Sequence, residues 1–190
     1  MNVTSDLSRA YDIISPVVSS ITGRYYVRPP SADPGAGLIY HNLRYPTFRK
    51  DQGLFATVRG LCVVLTHECD VEPTNNKVYN DSFLICPIIP FELFVSEVAG
   101  VLPPTNFEAY FANLAHRRIY QLLYIPVYPG VLPMGGVLHL NRISHTNVSV
   151  LELGEAAAVC CLSRDGLRQL DYALTTSLLR PKEDWIPRLN

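Results

Sequence analysis

Within LTHECDVE (residues 65–72) an imidazole, a thiol and three carboxylates stand directly behind an apolar run. Zinc chemistry would draw on Cys62, His67, Cys69 and Asp70, since thiolate and imidazole are suitable ligands and His67 and Cys69 share one side of an extended chain. No C-x-x-C or H-x3-H pair exists to complete a tetrahedron, and His41, His116, His139 and His145 stand alone in sequence. No metal and no cofactor are therefore expected. Covalent chemistry would use Cys69 as nucleophile with His67 as base, because a thiolate needs a neighbouring base or positive field at neutral pH. In a strand their Cα atoms would lie ~6.5 Å apart, but neither a third orienting residue nor a Gly-rich oxyanion turn is recognisable nearby. The third reading is structural. Leu61–Leu65 is then a central strand, Thr66 and Asp70 bond the free backbone groups of its exit turn, and Cys69 fills a small apolar gap. This reading is preferred, with Asp70 expected to accept amide hydrogen bonds from the loop that Pro73 stiffens.

The elements that must position these residues read mainly as strands. LFATVRGLCVVLTH (54–67) is dominated by Leu, Val and Phe, with Gly60 expected to bend or bulge it. DSFLICPII (81–89) is a second apolar strand, and NNKVYND between the two has turn composition. RRIYQLLYIPV (117–127), GGVLHLNRISHTNVSVLEL (135–153) and AAVCCLS (157–163) supply the remaining strands. In 61–65 and 83–89 the apolar residues are nearly continuous, which places both strands in the middle of a closed or covered sheet.

Helical spacing marks three segments. Ser5 or Asp6 could cap a first helix to about Ser20, with Leu7, Ala10, Tyr11, Ile14 and Val17 on one face; Pro16 interrupts it, so it can form as one helix or as two short pieces. TNFEAYFANLAHRR (105–118) sets Phe107, Tyr110, Phe111 and Leu114 behind an Asn/Thr cap. SRDGLRQLDYALTTSLLRP (163–181) opens on Ser163 as cap and aligns Leu167, Leu170, Leu174 and Leu178 for core packing. RYYVRPPSADPGAG reads as an extended piece and a loop. The fold class is thus α+β: a small, mostly antiparallel β-barrel or roll in a single domain over 1–190. Its parts are an N-terminal helix (1–22), a barrel (23–162) with an inserted helix (105–118), and a C-terminal helix (163–180).

Composition narrows the function classes. Apolar residues make up 48% and charged residues 17%, which excludes a disordered chain. A net charge of −1 removes any general attraction to nucleic acid or anionic membrane. Arg44, Arg49, Lys50 and Arg59, offset only by Asp51, are read as a solvated surface. The N-terminus lacks a basic start with an apolar stretch behind it, and no segment reaches the ~20 apolar residues of a membrane span. Cys62, Cys86, Cys160 and Cys161 sit in apolar strings, so reduced buried thiols and a cytoplasmic location are expected.

The strand RGLCVVLT (59–66), the polar stretch HECDVEPTNNKVYND (67–81) and the strand FLICPII (83–89) resemble the core of the MazF/PemK toxins. That family carries an R-P-x-V-V-L-S/T strand, a polar loop and a strand ending in P-I/L-T. YYVRPPSADPGAGLIYHNLRY (25–45) stands where its first barrel strands and long loop would be. THECDV also resembles the S-Q-D-C-D-I signature of poorly characterised bacterial proteins of the same barrel group, whose L-S-x-x-G-x-x-x-L ending LSRDGLRQL (162–170) matches. The first likeness covers about residues 23–90 and the second, loosely, 59–180. The resemblance implies an SH3-like barrel, often dimeric, cutting single-stranded RNA with an arginine at the first strand's start and a hydroxyl residue after the second. Arg59 matches the arginine. Ile89 stands where the hydroxyl residue would be, so one donor to developing phosphate charge is missing.

The function expected is therefore a non-enzymatic binding or regulatory protein on a toxin-like barrel, in a bacterial or phage toxin–antitoxin or defence setting. A protein partner would be met through PFELF (90–94) and YIPVYPGVLP (124–133), with a homodimer as a further partner. The alternative is an endoribonuclease or other hydrolase acting on RNA through Arg59, His67, Cys69 and Asp70.

Overall fold

The structure, a computed structural model, describes residues 3–27, 35–49, 51–67, 70 and 81–178. Its elements in chain order are α1 (Val3–Tyr25), β1 (Tyr26–Val27), β2 (Leu38–Arg49), β3 (Leu54–Val64), β4 (Ser82–Pro90) and α2 (Phe91–Ala99). A 3-10 turn (Pro104–Asn106) leads into α3 (Phe107–Ala115), followed by β5 (Leu122–Ile125) and β6 (Gly136–His139). A second such turn (Leu140–Arg142) precedes β7 (Ser144–Asn147), the one-turn helix α4 (Ser149–Glu152), β8 (Ala157–Leu162) and α5 (Arg164–Leu178).

The strands form an α+β sheet in the order β1-β8-β2-β3-β4-β6-β5, with β7 also paired to β4, and every pairing is antiparallel. Among the described residues no ladder joins β5 back to β1, so the sheet is rolled and open. Its two ends meet through side chains: the Tyr26 hydroxyl donates to the Pro126 carbonyl at 2.7 Å, and the Tyr26 and Tyr128 rings meet edge-on.

Alternation along the strands explains the continuous apolar runs. Ile39, Val63, Cys86 and Cys160 point into one buried cluster with Leu123, Leu138 and Leu170. Their neighbours Leu38, Tyr40, Cys62, Val64, Ile85 and Cys161 point into a second, closed over by Val148, Val150 and Leu151. Both faces are covered, so both must be apolar. On the hairpin β5–β6, Leu122, Tyr124 and Val137 face a third cluster built from α1, α2 and α3.

Five local expectations change. α1 runs unbroken through Pro16. Ala10 and Ile14 are buried as expected, but Val17 is exposed while Ile13 and Val18 pack inward. PFELF is helical rather than a loop: Phe91 and Phe94 open α2 and are buried with Val95, an i, i+3, i+4 set against α1 and α3, while Leu93 stays exposed. In YIPVYPGVLP, Tyr124, Ile125 and Leu132 are core residues. The bulge expected at Gly60 lies across the ladder in β2, where His41 and Asn42 form the extra step between Tyr40↔Cys62 and Leu43↔Gly60, and Asn42 takes a left-handed φ of 61°. Gly60 instead makes room for a ring, since a Cβ there would meet the Tyr45 hydroxyl at 3.2 Å. The C-terminal stripe holds at Leu170, which is buried, and loosens at Leu178, which is exposed.

Candidate binding groove

β2 and β3 run on together past the rest of the sheet. β8 pairs with β2 only over Leu38–His41, and β4 pairs with β3 only over Cys62–Val64. Beyond those points Leu43–Arg49 and Leu54–Gly60 make a two-stranded ribbon, while β4 turns away to pair with β6. Between ribbon and β4 lies an open groove. One wall is Tyr45, Pro46, Phe48, Phe55 and Arg59; the other is Ile89 and Leu93, and Asn141, Arg142 and His145 line its polar end.

The groove is part apolar and part polar. Phe48 and Phe55 are 54% and 75% exposed, an edge-on pair 5.4 Å apart that stays in water in the isolated chain. Arg142 is exposed and has no ion-pair partner among the described residues, and His145 is exposed opposite Leu84 in the β4–β7 ladder. Glu97 is the carboxylate on the lining. Burial pushes the Tyr45 phenol up to about 12, with Cys62 adding and Arg142 opposing, so it stays a neutral donor. Burial lowers His139, and the Arg142 charge lowers it further; its Nδ1 is buried without a hydrogen-bond partner among the described residues.

Arg59 is engaged elsewhere. Arg44 and Arg59 are direct ladder partners, and like charges so placed repel. Both guanidiniums reach one oxygen of Glu155, at 2.5 and 2.8 Å. Asn42 holds the same segment by donating to the Glu155 carbonyl at 3.0 Å. Arg49 is paired with Asp51 at 3.3 Å, so the three arginines of the basic group share two carboxylates; Lys50 lies outside the described residues.

Of the residues singled out in the sequence, Arg59, His67 and Asp70 are among the described ones. Arg59 lines the groove. His67 lies past the end of β3, and the five residue steps from Arg59 to Val64 alone span ~16 Å in a strand. His67 and Asp70 are brought together, the Asp70 amide donating to the His67 carbonyl at 2.9 Å, and both are exposed. Cys69, the NNKVYND turn and the loop expected to donate to Asp70 lie outside the described residues. Thr66 does serve the strand end, its hydroxyl accepting from the Leu84 amide at 2.7 Å. Cys62 is fully buried in the second cluster, away from His67. Among the described residues no group of three His, Cys, Asp or Glu could hold a metal ion, and no helix is long and apolar enough to cross a membrane.

Sequence reasoning missed Glu155, Arg142 and His145. The last two stand three residues apart in an otherwise strand-like segment, a polar interruption that was visible. Glu155 carries no local signal. A scan against protein-family models and a search of curated proteins return no match for this chain.

Proposed function

We propose that this chain is a non-enzymatic binding or regulatory module on a MazF/PemK-type, SH3-like barrel, and that its groove takes an extended segment of a partner protein in a toxin–antitoxin or phage-defence setting. The barrel reading is supported by the order β8-β2-β3-β4-β7, with the one-turn helix α4 between the last two strands in chain order. β7 also leans on β2, the Thr146 and Ser144 hydroxyls donating to the Arg44 and Pro46 carbonyls at 2.7 and 3.0 Å. The observation that carries the functional reading is the pair Arg59 and Ile89. Both line the groove, yet the hydroxyl position is apolar and the guanidinium is already bound to Glu155. Exposed aromatic rings beside an Arg142 that has no ion-pair partner among the described residues suit a peptide with apolar and acidic side chains.

A ribonuclease remains the second reading, favoured by the presence of Arg142 and His145 in the same groove as Arg59. Mixed single-stranded RNA incubated with pure protein separates the two. Intact RNA with both wild type and Arg59→Ala is expected; cleavage that disappears with Arg59→Ala would sink the binding-only reading. Selection from a displayed random-peptide library should enrich acidic, apolar sequences on wild type and lose them on Arg142→Glu.

A further inference from the structure

The ribbon has one strand edge that nothing described covers. The Arg44 and Pro46 carbonyls accept side-chain hydroxyls from β7, so they point away from β3. Arg44, Pro46 and, two residues on, Phe48 are therefore non-hydrogen-bonded positions of the β2–β3 ladder. That suits Pro46, which has no N–H to give. Their ladder partners Arg59, Thr57 and Phe55 must likewise turn an N–H and a C=O outward, on β3's far side. β4 covers that side only from Cys62 onward. Three consecutive outward positions are left open.

Soluble proteins protect such an edge with lysine, proline, a bulge or an inward charge. Leu54–Val58 has none of these, and the bulge sits in β2 instead. Phe55 stands on this edge at 75% exposure. The edge is built to be paired.

We infer that its occupant is a second copy of this chain, with β3 pairing antiparallel to β3 about a two-fold axis at Thr57. Three features select this partner. A two-fold axis at Thr57 sets Thr57 opposite Thr57 and Phe55 opposite Arg59, so every outward N–H and C=O meets its complement in the other copy. Leu54–Val58 carries no charge, and Arg59, which shares Glu155 with Arg44, falls opposite Phe55 rather than opposite its own copy, so self-pairing sets no like charges directly across from one another; Phe55 gains the flank of an arginine. The length also fits. The turn at Asp51–Gly53 bounds the open stretch at one end and β4 at the other, so each copy's turn falls where the other's β4 joins. Phe55 and Arg59 also line the groove, so each copy adds its ribbon to that wall in the other; the pairing itself does not depend on what the groove binds.

Light scattering after size exclusion, in a Cys69→Ser background, tests this. A mass near twice 21.2 kDa is expected at tens of micromolar. Thr57→Lys should return it to a monomer with unchanged circular dichroism and melting temperature. Thr57→Cys should give a covalent dimer under mild oxidation, since directly opposed Cα atoms lie within disulfide reach. A monomer throughout the concentration range overturns the inference. So does a dimer that survives Thr57→Lys, or a Thr57→Cys protein that stays uncrosslinked. Arg142→Glu should leave the mass unchanged, which separates failure of the groove reading from failure of this one.

Discussion

His139 ends β6 with its Nδ1 buried and without a hydrogen-bond partner among the described residues, and Arg142 adds a positive charge to the desolvation already lowering its pKa. Its folded value thus lies below the ordinary 6.5, while the unfolded chain keeps the ordinary value. Between the two the unfolded state binds more protons, so stability rises with pH through this window and falls as pH drops below 6.5. Urea midpoints from pH 7.5 to 5 should therefore decline for the wild type and decline less for His139→Gln. An equal slope in both would show that the desolvated imidazole is not the source.

Ser163 joins two elements that are distant in sequence. Its hydroxyl accepts the Gly166 amide at 3.2 Å, capping α5, and donates to the Arg24 carbonyl at the end of α1. Ser163→Ala should cost about 1 kcal/mol in chemical denaturation, with Ser163→Thr restoring part of it. This cap was legible because a hydroxyl residue followed by a leucine stripe is a local pattern. The strands were legible for the same kind of reason, their apolar runs being unbroken. α2 was not, because Pro90 in front of Phe91 suggests a loop, although a proline just ahead of the first turn costs a helix little. Gly60 was misread because the extra residue was taken up on the opposite strand, and a ladder's register depends on both chains. At the site, Arg59 could be named from its place at the start of a strand. Its partner Glu155 comes about a hundred residues later, and only the β2–β8 pairing brings it near. His67 and Asp70 stand three residues apart, so their nearness was legible, whereas sequence distance hides the length of strand between them and Arg59.

Across the whole molecule, a sheet covered on both faces leaves its thiols nowhere to meet solvent. Cys160 and Cys161 are chain neighbours that enter different clusters, and burial pushes the Cys86 and Cys160 thiols up to about 12 and Cys62 higher still. At pH 8 a thiol titrating at about 12 is ionised to about one part in ten thousand. A Cys69→Ser protein should consequently show no fast reaction with an aromatic disulfide reagent until denaturant unfolds it. Prompt labelling of the native protein would contradict the double-sided burial.

The pairing of β8 with β2 also has a consequence in time. β2 and β3 can close as a hairpin as soon as both are made, but the other edge of β2 at Leu38–His41 waits for Ala157–Cys161. Roughly 115 residues separate them, and at 5–20 residues per second a ribosome needs about 6–23 s to supply the missing strand. Throughout that interval Leu38, Ile39 and Tyr40 offer an unpaired apolar edge. That half of the sheet thus cannot complete itself during early synthesis, and a nascent chain stalled before β8 presents that edge to whatever strand or chaperone reaches it first.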